Sequence, residues 1–271
     1  PLRFFLLPLD AVISTKSLRN ATFSPQLHPT EDAMSSIAFD TLLAAITTHP
    51  ARRHTVFTTL AARKYSRPIL ARYLVNMARL CVELRKMGAM RAAFERWPYE
   101  GEEKEFRLRS AYQAVRYIDR REAKNEERFS AMARLLAPGY ALDEHDLAQG
   151  THEAIGALRW RTGHSADAMF RALGGLFASE ITWYEQVTPG HVAAFVDGGF
   201  YGLSLDDVPY LKDLVSVTNR NQEAWMSWMV DKASLTEGEW RLMHEGAAEM
   251  LNAITIFYDD LAAILKDDDP A

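Results

Sequence analysis

The residues of this chain best suited to chemistry stand where helical stripes call for apolar side chains. Leu108, Ala111, Val115 and Ile118 step by three and four residues, and the same step leads to Glu122, Asn125, Phe129, Met132 and Leu136. The stripe resumes in phase after Glu122 and Asn125, so both side chains are expected to face the interior. Glu180 interrupts a second stripe, Leu173, Leu176, Glu180, Tyr184 and Val187. Thr218 and Asn221 interrupt a third, Leu211, Leu214, Thr218, Asn221, Trp225 and Trp228, while Asn76 sits beside the stripe Leu70, Leu74, Met77, Cys81 and Leu84. A buried carboxylate must be protonated, hydrogen-bonded, paired or metal-bound. Two of them, with amides and a hydroxyl on facing helices, suit a polar pocket inside a bundle. In that reading Glu122 and Glu180 are catalytic, as acid/base or charge-stabilising groups. Asn76, Asn125, Thr218, Asn221 and Tyr184 then bind and orient a small organic substrate. The competing reading is a solvated face, because residues 119–128 form a dense charge run and a slight bend would turn Glu122 outward.

Other patterns offer less. Eight histidines are scattered with no His–x2/3–His or Glu–x2–His spacing on any expected helix, so a histidine-rich metal site has no local signature. Each lone histidine reads as a surface group or a satisfied core group; His49 and His54 stand where they could reach a pocket. Asp259-Asp260 and Asp267-Asp268-Asp269 fit the aspartate motifs of terpenoid synthases poorly. Gly174-Gly175 and Gly198-Gly199 are not phosphate loops, since no strand precedes them and no Gly-Lys-Ser/Thr follows.

The elements that must position these residues read as helices throughout. Residues 1–30, with four prolines and no helical period, are expected to form an irregular arm, and 31–271 a single helical bundle domain. Expected helices are Glu31–Ile46, Pro50–Lys64, Pro68–Met87, Glu102–Leu136, His152–Arg161, Ala166–Val187, a short one from Thr188-Pro189 to Gly198-Gly199, Leu205–Lys232 and Gly238–Lys266. Ser204 is placed to cap one of them, and Thr236 with Glu239 forms a capping box for the last. The acidic end 267–269 reads as a solvated tail. The fold class is therefore all-α.

Composition bounds the partners. With 271 residues, 48% of them apolar, the chain can bury a large core. A net charge of -5 and the lack of a Lys/Arg stripe argue against nucleic acid and anionic membrane as partners. The lone cysteine, Cys81, lies in an apolar run and reads as a buried, inert thiol; one cysteine forms no intrachain disulfide, as in a reducing, cytoplasmic setting. No apolar run reaches membrane length without charges.

The segment from His49-Pro50 through Leu84 resembles the opening of haem-oxygenase-like helical proteins, a superfamily that includes thiaminase-II-like (TenA) proteins, the PqqC oxidase and non-haem diiron oxidases. The likeness lies in His49-Pro50, then Phe57-x2-Leu60, then Leu70-x2-Tyr73-Leu74-x-Asn76, and continues in helix order and length over roughly residues 40–265. It implies a haem-oxygenase-like bundle acting on a small organic molecule, by an oxidative step in specialised-metabolite or cofactor biosynthesis. On the diiron branch Glu122 and Glu180 match two expected glutamates. Asn125, Leu214, Thr218 and Asn221 stand where His, His, Asp and His are expected, so the iron ligand set is incomplete. The thiaminase branch expects Asp and Tyr near Met77 and Ala78, and a haem-binding role would take His49 or His54 as axial ligand. The alternative is a family member without catalysis, acting as a binding protein, a homodimer or the partner subunit of an active enzyme.

Overall fold

The computed structural model describes residues 31–86, 124–139, 147–160, 166–216 and 235–268. Of these, 84% are helical and none is in a strand. The protein is all-α over the described residues. The expected arm 1–30 lies outside them.

The order is α1 (Glu31–Thr48), a 3-10 turn (Pro50–Arg53), α2 (Val56–Ala62), α3 (Arg67–Lys86), α4 (124–136), α5 (Gln149–Trp160) and α6 (Ala166–Thr182). A π-helical turn (Trp183–Val187), α7 (Thr188–Val192), a second π turn (Ala193–Asp197), a 3-10 turn (Leu205–Asp207), α8 (Pro209–Ser216) and α9 (Glu237–Lys266) follow.

α9 is the element around which the others gather. It packs along α6 and α5 and also touches α1, α2 and α3. Its stripe Trp240, Met243, Ala247, Met250, Ile254, Phe257, Leu261 and Ile264 is buried. Each large side chain on it contributes about 1.5–3 kcal/mol of apolar transfer. The helix starts where its sequence says: Thr236 Oγ1 accepts the Glu239 N–H and the Glu239 carboxylate accepts the Thr236 N–H, at 3.3 and 2.8 Å.

Two glycines set how closely α6 and α9 approach. A Cβ on Gly174 would lie 1.9 Å from the Met243 carbonyl oxygen, and a Cβ on Gly246 would lie 1.8 Å from that of Arg171. The helices thus cross backbone against backbone, each offering a glycine to the other. Beside the crossing, Arg171 ion-pairs with Glu245 and Glu249 of α9.

Several boundaries differ from expectation: the helix expected from His152 starts at Gln149, and the one expected from Leu205 opens as a 3-10 turn with α8 starting at Pro209. Three further differences have a clear cause. The stretch Pro50–Lys64 is two short pieces instead of one helix, because each piece is opened by an imidazole. His49 Nδ1 accepts the Ala51 N–H and His54 Nδ1 accepts the Val56 N–H, both at 3.2 Å, and His54 itself is extended (φ −67°, ψ 132°). The break expected at Val187 is instead a widening within one continuous helix. Pro189 offers no N–H to the carbonyl of Glu185 and its ring crowds that carbonyl; opening the preceding turn to five residues relieves both. The helix ends at Gly199, whose φ of +64° is left-handed.

The third difference is at the acidic end. Asp267 ion-pairs with Arg72 at 3.1 Å. The Asp268 carboxylate accepts the Ser66 N–H at 2.7 Å, and its carbonyl accepts from Arg63 at 2.8 Å. Asp268 is therefore not part of a solvated tail but clasps the end of α9 to the α2–α3 connection; Asp267 is exposed, as expected, while reaching Arg72, and Asp269 lies outside the described residues. One turn pair earlier, Asp260 accepts the N–H and hydroxyl of Thr151 and so caps α5, which begins at Gln149.

Candidate functional site

α2, α3, α4, α7, the second π turn and α8 meet at His191. The residue is fully buried and its imidazole is clamped between two tyrosine hydroxyls: Nε2 lies 2.8 Å from Tyr73 Oη and Nδ1 lies 2.7 Å from Tyr210 Oη. Around it stand Phe57, Tyr73, Phe129, Phe195 and Tyr210, with ring centroids 5.4–6.1 Å away. Burial among these rings lowers the imidazole pKa to about 3, so His191 is neutral. The same burial pushes the Tyr73 and Tyr210 hydroxyls well above their ordinary value, helped at Tyr73 by Tyr258 and at Tyr210 by Tyr73 and Cys81. A neutral imidazole donates at one nitrogen and accepts at the other. The triad therefore has two proton arrangements, in which either tyrosine is the donor and the other the acceptor.

One side-chain layer away is a cavity of about 430 Å³ between α2 and the π-widened helix. Phe57 is the shared wall. It lines the cavity, packs against His191 and Tyr258, and sits on Gly190, where a Cβ would lie 2.4 Å from the Phe57 Cβ. The first π turn brings Glu185 and Gln186 to the cavity, and the turn Pro50–Arg53 brings Arg52 and Arg53.

Arg52 is the unusual group here. Its side chain is 10% exposed and ion-pairs with Glu185, which is 44% exposed. Its Nε and Nη1 are buried with no hydrogen-bond partner among the described residues, and so is Gln186 Oε1. Burial lowers the guanidinium pKa, against a favourable interaction with Tyr258. Buried polar atoms normally have partners, so three orphaned atoms on two residues that line one cavity call for an explanation. A π turn at a functional site is a recurrent arrangement.

Asn76, Asn125 and Glu180 are buried, Asn76 fully. Asn76 is engaged by backbone: its amide donates to the Arg72 carbonyl at 2.9 Å and its Oδ1 accepts the Ala148 N–H at 3.3 Å, tying α3 to the approach to α5. Glu180 sits one turn before the first π turn, on the helix that carries both Glu185 and His191. Tyr184 belongs to that π turn, but its side chain is not among those described; Glu122, Thr218 and Asn221 also lie outside the described residues.

His49 and His54 use both ring nitrogens. Beyond their backbone caps, His49 Nε2 meets Asn252 Oδ1 at 3.3 Å and His54 Nε2 meets Asp259 Oδ1 at 3.1 Å. Neither has a nitrogen left to act as an axial ligand without losing one of these bonds. Among the described residues no group of three or more His, Cys, Asp and Glu is placed to hold a metal ion. Asn125 and Leu214, at two of the diiron positions, supply no imidazole, so the described donor set does not fit a diiron centre. Cys81 is buried, as expected for an inert thiol.

The sequence reading did not single out Arg52, and it placed His191 only among the histidines that read as surface or satisfied core groups; its buried ring, hydrogen-bonded at both nitrogens, is the second of these. A signal for His191 was present: Val187, His191 and Ala194 share a helical stripe, so His191 interrupts a core face as Glu180 does. Nothing in the sequence marks Arg52 apart from Arg53. Among the described residues no helix is long and apolar enough to cross a membrane. No family model, curated protein or solved structure matches the chain.

Proposed function

We propose that this chain is an enzyme of the haem-oxygenase-like kind that acts on a small organic molecule in specialised-metabolite or cofactor biosynthesis. Its substrate would sit in the cavity between α2 and the π-widened helix. One observation carries the reading: a cavity of about 430 Å³ coincides with orphaned polar atoms of Arg52 and Gln186 and with two π turns on one helix. Cavities that hold small molecules combine apolar walls with a few convergent polar groups, as here. An oxidative reaction is what the sequence resemblance contributes, and Glu180, buried one turn from the cavity helix segment, is the nearest of the expected catalytic carboxylates in sequence.

A second reading, ligand binding without catalysis in a homodimer or as a partner subunit, is favoured by a different observation. Asn76 and His191, which could have served a substrate, are instead satisfied by the fold itself.

Native mass spectrometry of the protein incubated with a metabolite extract, with elemental analysis, tests both readings. One small molecule per chain is expected, and Ala193→Phe, which fills the cavity wall, should abolish its binding. Recovery of a changed molecule supports the enzyme, and recovery of the same molecule supports the binding protein. A wild-type protein that retains nothing overturns both.

A further inference from the structure

The reading above leaves open what kind of molecule enters the cavity, and Arg52 narrows it. We propose that the cavity is built for a small organic carboxylate, with Glu185 acting as an internal stand-in that the ligand displaces from Arg52. The inference rests on the cavity being a ligand site and adds the class of ligand.

Three observations support it. Arg52 is nine-tenths buried, yet two of its guanidinium nitrogens have no acceptor among the described residues. A guanidinium holds its charge when buried and is shaped to receive a planar carboxylate. Its one ion-pair partner among the described residues, Glu185, is nearly half exposed, so that carboxylate can swing to water at little cost, whereas Arg52 cannot leave. The rest of the cavity wall is suited to an organic body carrying the charge. Phe57, Ala61, Pro189 and Ala193 are apolar. Among the described residues that line the cavity, Arg52 and Arg53 are cations and Glu185 is the one carboxylate, so displacing Glu185 leaves a positive wall there in a chain of net charge -5.

The test uses the whole chain and three probes of similar size: benzoate, benzamide and phenyl phosphate. Binding is read by calorimetry and by the shift of the melting temperature. Benzoate is expected to bind at least tenfold more tightly than neutral benzamide. Glu185→Gln, which removes the competing carboxylate, should tighten benzoate binding about tenfold. Arg52→Gln should remove the preference for benzoate; Arg52→Lys, which keeps charge but not the planar fork, should keep only part of it. The Glu185→Gln result keeps the proposal falsifiable even if the Arg52 variants fold poorly. Benzoate and benzamide binding equally, with no response to Glu185→Gln, overturns the carboxylate assignment and leaves the cavity as a small-molecule site. Phenyl phosphate binding alone replaces the carboxylate with a phosphate ester. A chain that binds no probe, and whose native mass spectrum also shows no retained molecule, fails the underlying reading as well.

Discussion

His191 gives the fold a built-in sensitivity to acid that can be worked out from its surroundings. In the native chain its pKa is about 3, against 6.5 for an unconstrained imidazole. Below pH 6.5 the unfolded chain takes up a proton that the native chain refuses. The stability linked to this residue is thus fully present above pH 6.5 and is lost as pH falls toward 3. Each unit of pH across that window is worth about 1.4 kcal/mol, so lowering pH from 7 to 5 should cost about 2 kcal/mol through His191 alone. Urea unfolding at the two pH values measures the total loss. The His191→Gln variant, which cannot take up the proton, removes this share, so the wild type should lose about 2 kcal/mol more than the variant does over the same interval. Comparing the two losses cancels the carboxylates and the other histidines, which titrate in both proteins. The imidazole resonances of the wild type supply a check that needs no variant: the His191 ring should stay neutral down to pH 4. An imidazole at this position that titrates near pH 6.5, or equal acid sensitivity of wild type and variant, would refute the reasoning.

Two further predictions concern packing and capping. Gly174→Ala forces a methyl group into the Met243 backbone, so it should lower stability by about 2 kcal/mol despite the better helix propensity of alanine. Gly156→Ala on α5, where an added Cβ meets nothing within 4 Å, should raise stability by about 0.5–1 kcal/mol, and the opposite signs are checked by denaturant midpoints. Thr236→Ala removes the hydroxyl that receives the Glu239 N–H at the start of α9 and should cost about 1 kcal/mol by the same measurement.

What could be read from the sequence was what local periodicity and capping control. The stripe of α9 and its Thr236–Glu239 box are features of consecutive residues, and both stand in the structure where the spacing puts them. Phase also buries Asn125 and Glu180, because a stripe that resumes in register leaves its interruptions no other face. What could not be read depends on partners far along the chain. That Gly174 and Gly246 face each other, or that Asp260 caps α5, follows from how helices cross and has no signature within either segment. The π turn before Pro189 has a local cause, but sequence period alone cannot separate a widened helix from a broken one. The cavity is harder still to foresee, since Arg52 and Gln186 are made unusual only by buried atoms that find no partner in space among the described residues.

The place of α9 in the chain has a consequence for how the protein is made. This helix follows every other described element in sequence, yet α1, α2, α3, α5 and α6 all pack against it. A ribosome that adds about 5–20 residues per second spends about 2–6 s on its 30 residues. Until then Leu173, Leu176 and Phe177 of α6 have emerged without the helix that covers them, and the Arg63–Ser66 connection has no Asp268 to hold it. That apolar face of α6 stays uncovered until α9 is made, so slowed or stalled translation of residues 237–266 should favour capture by chaperones or aggregation.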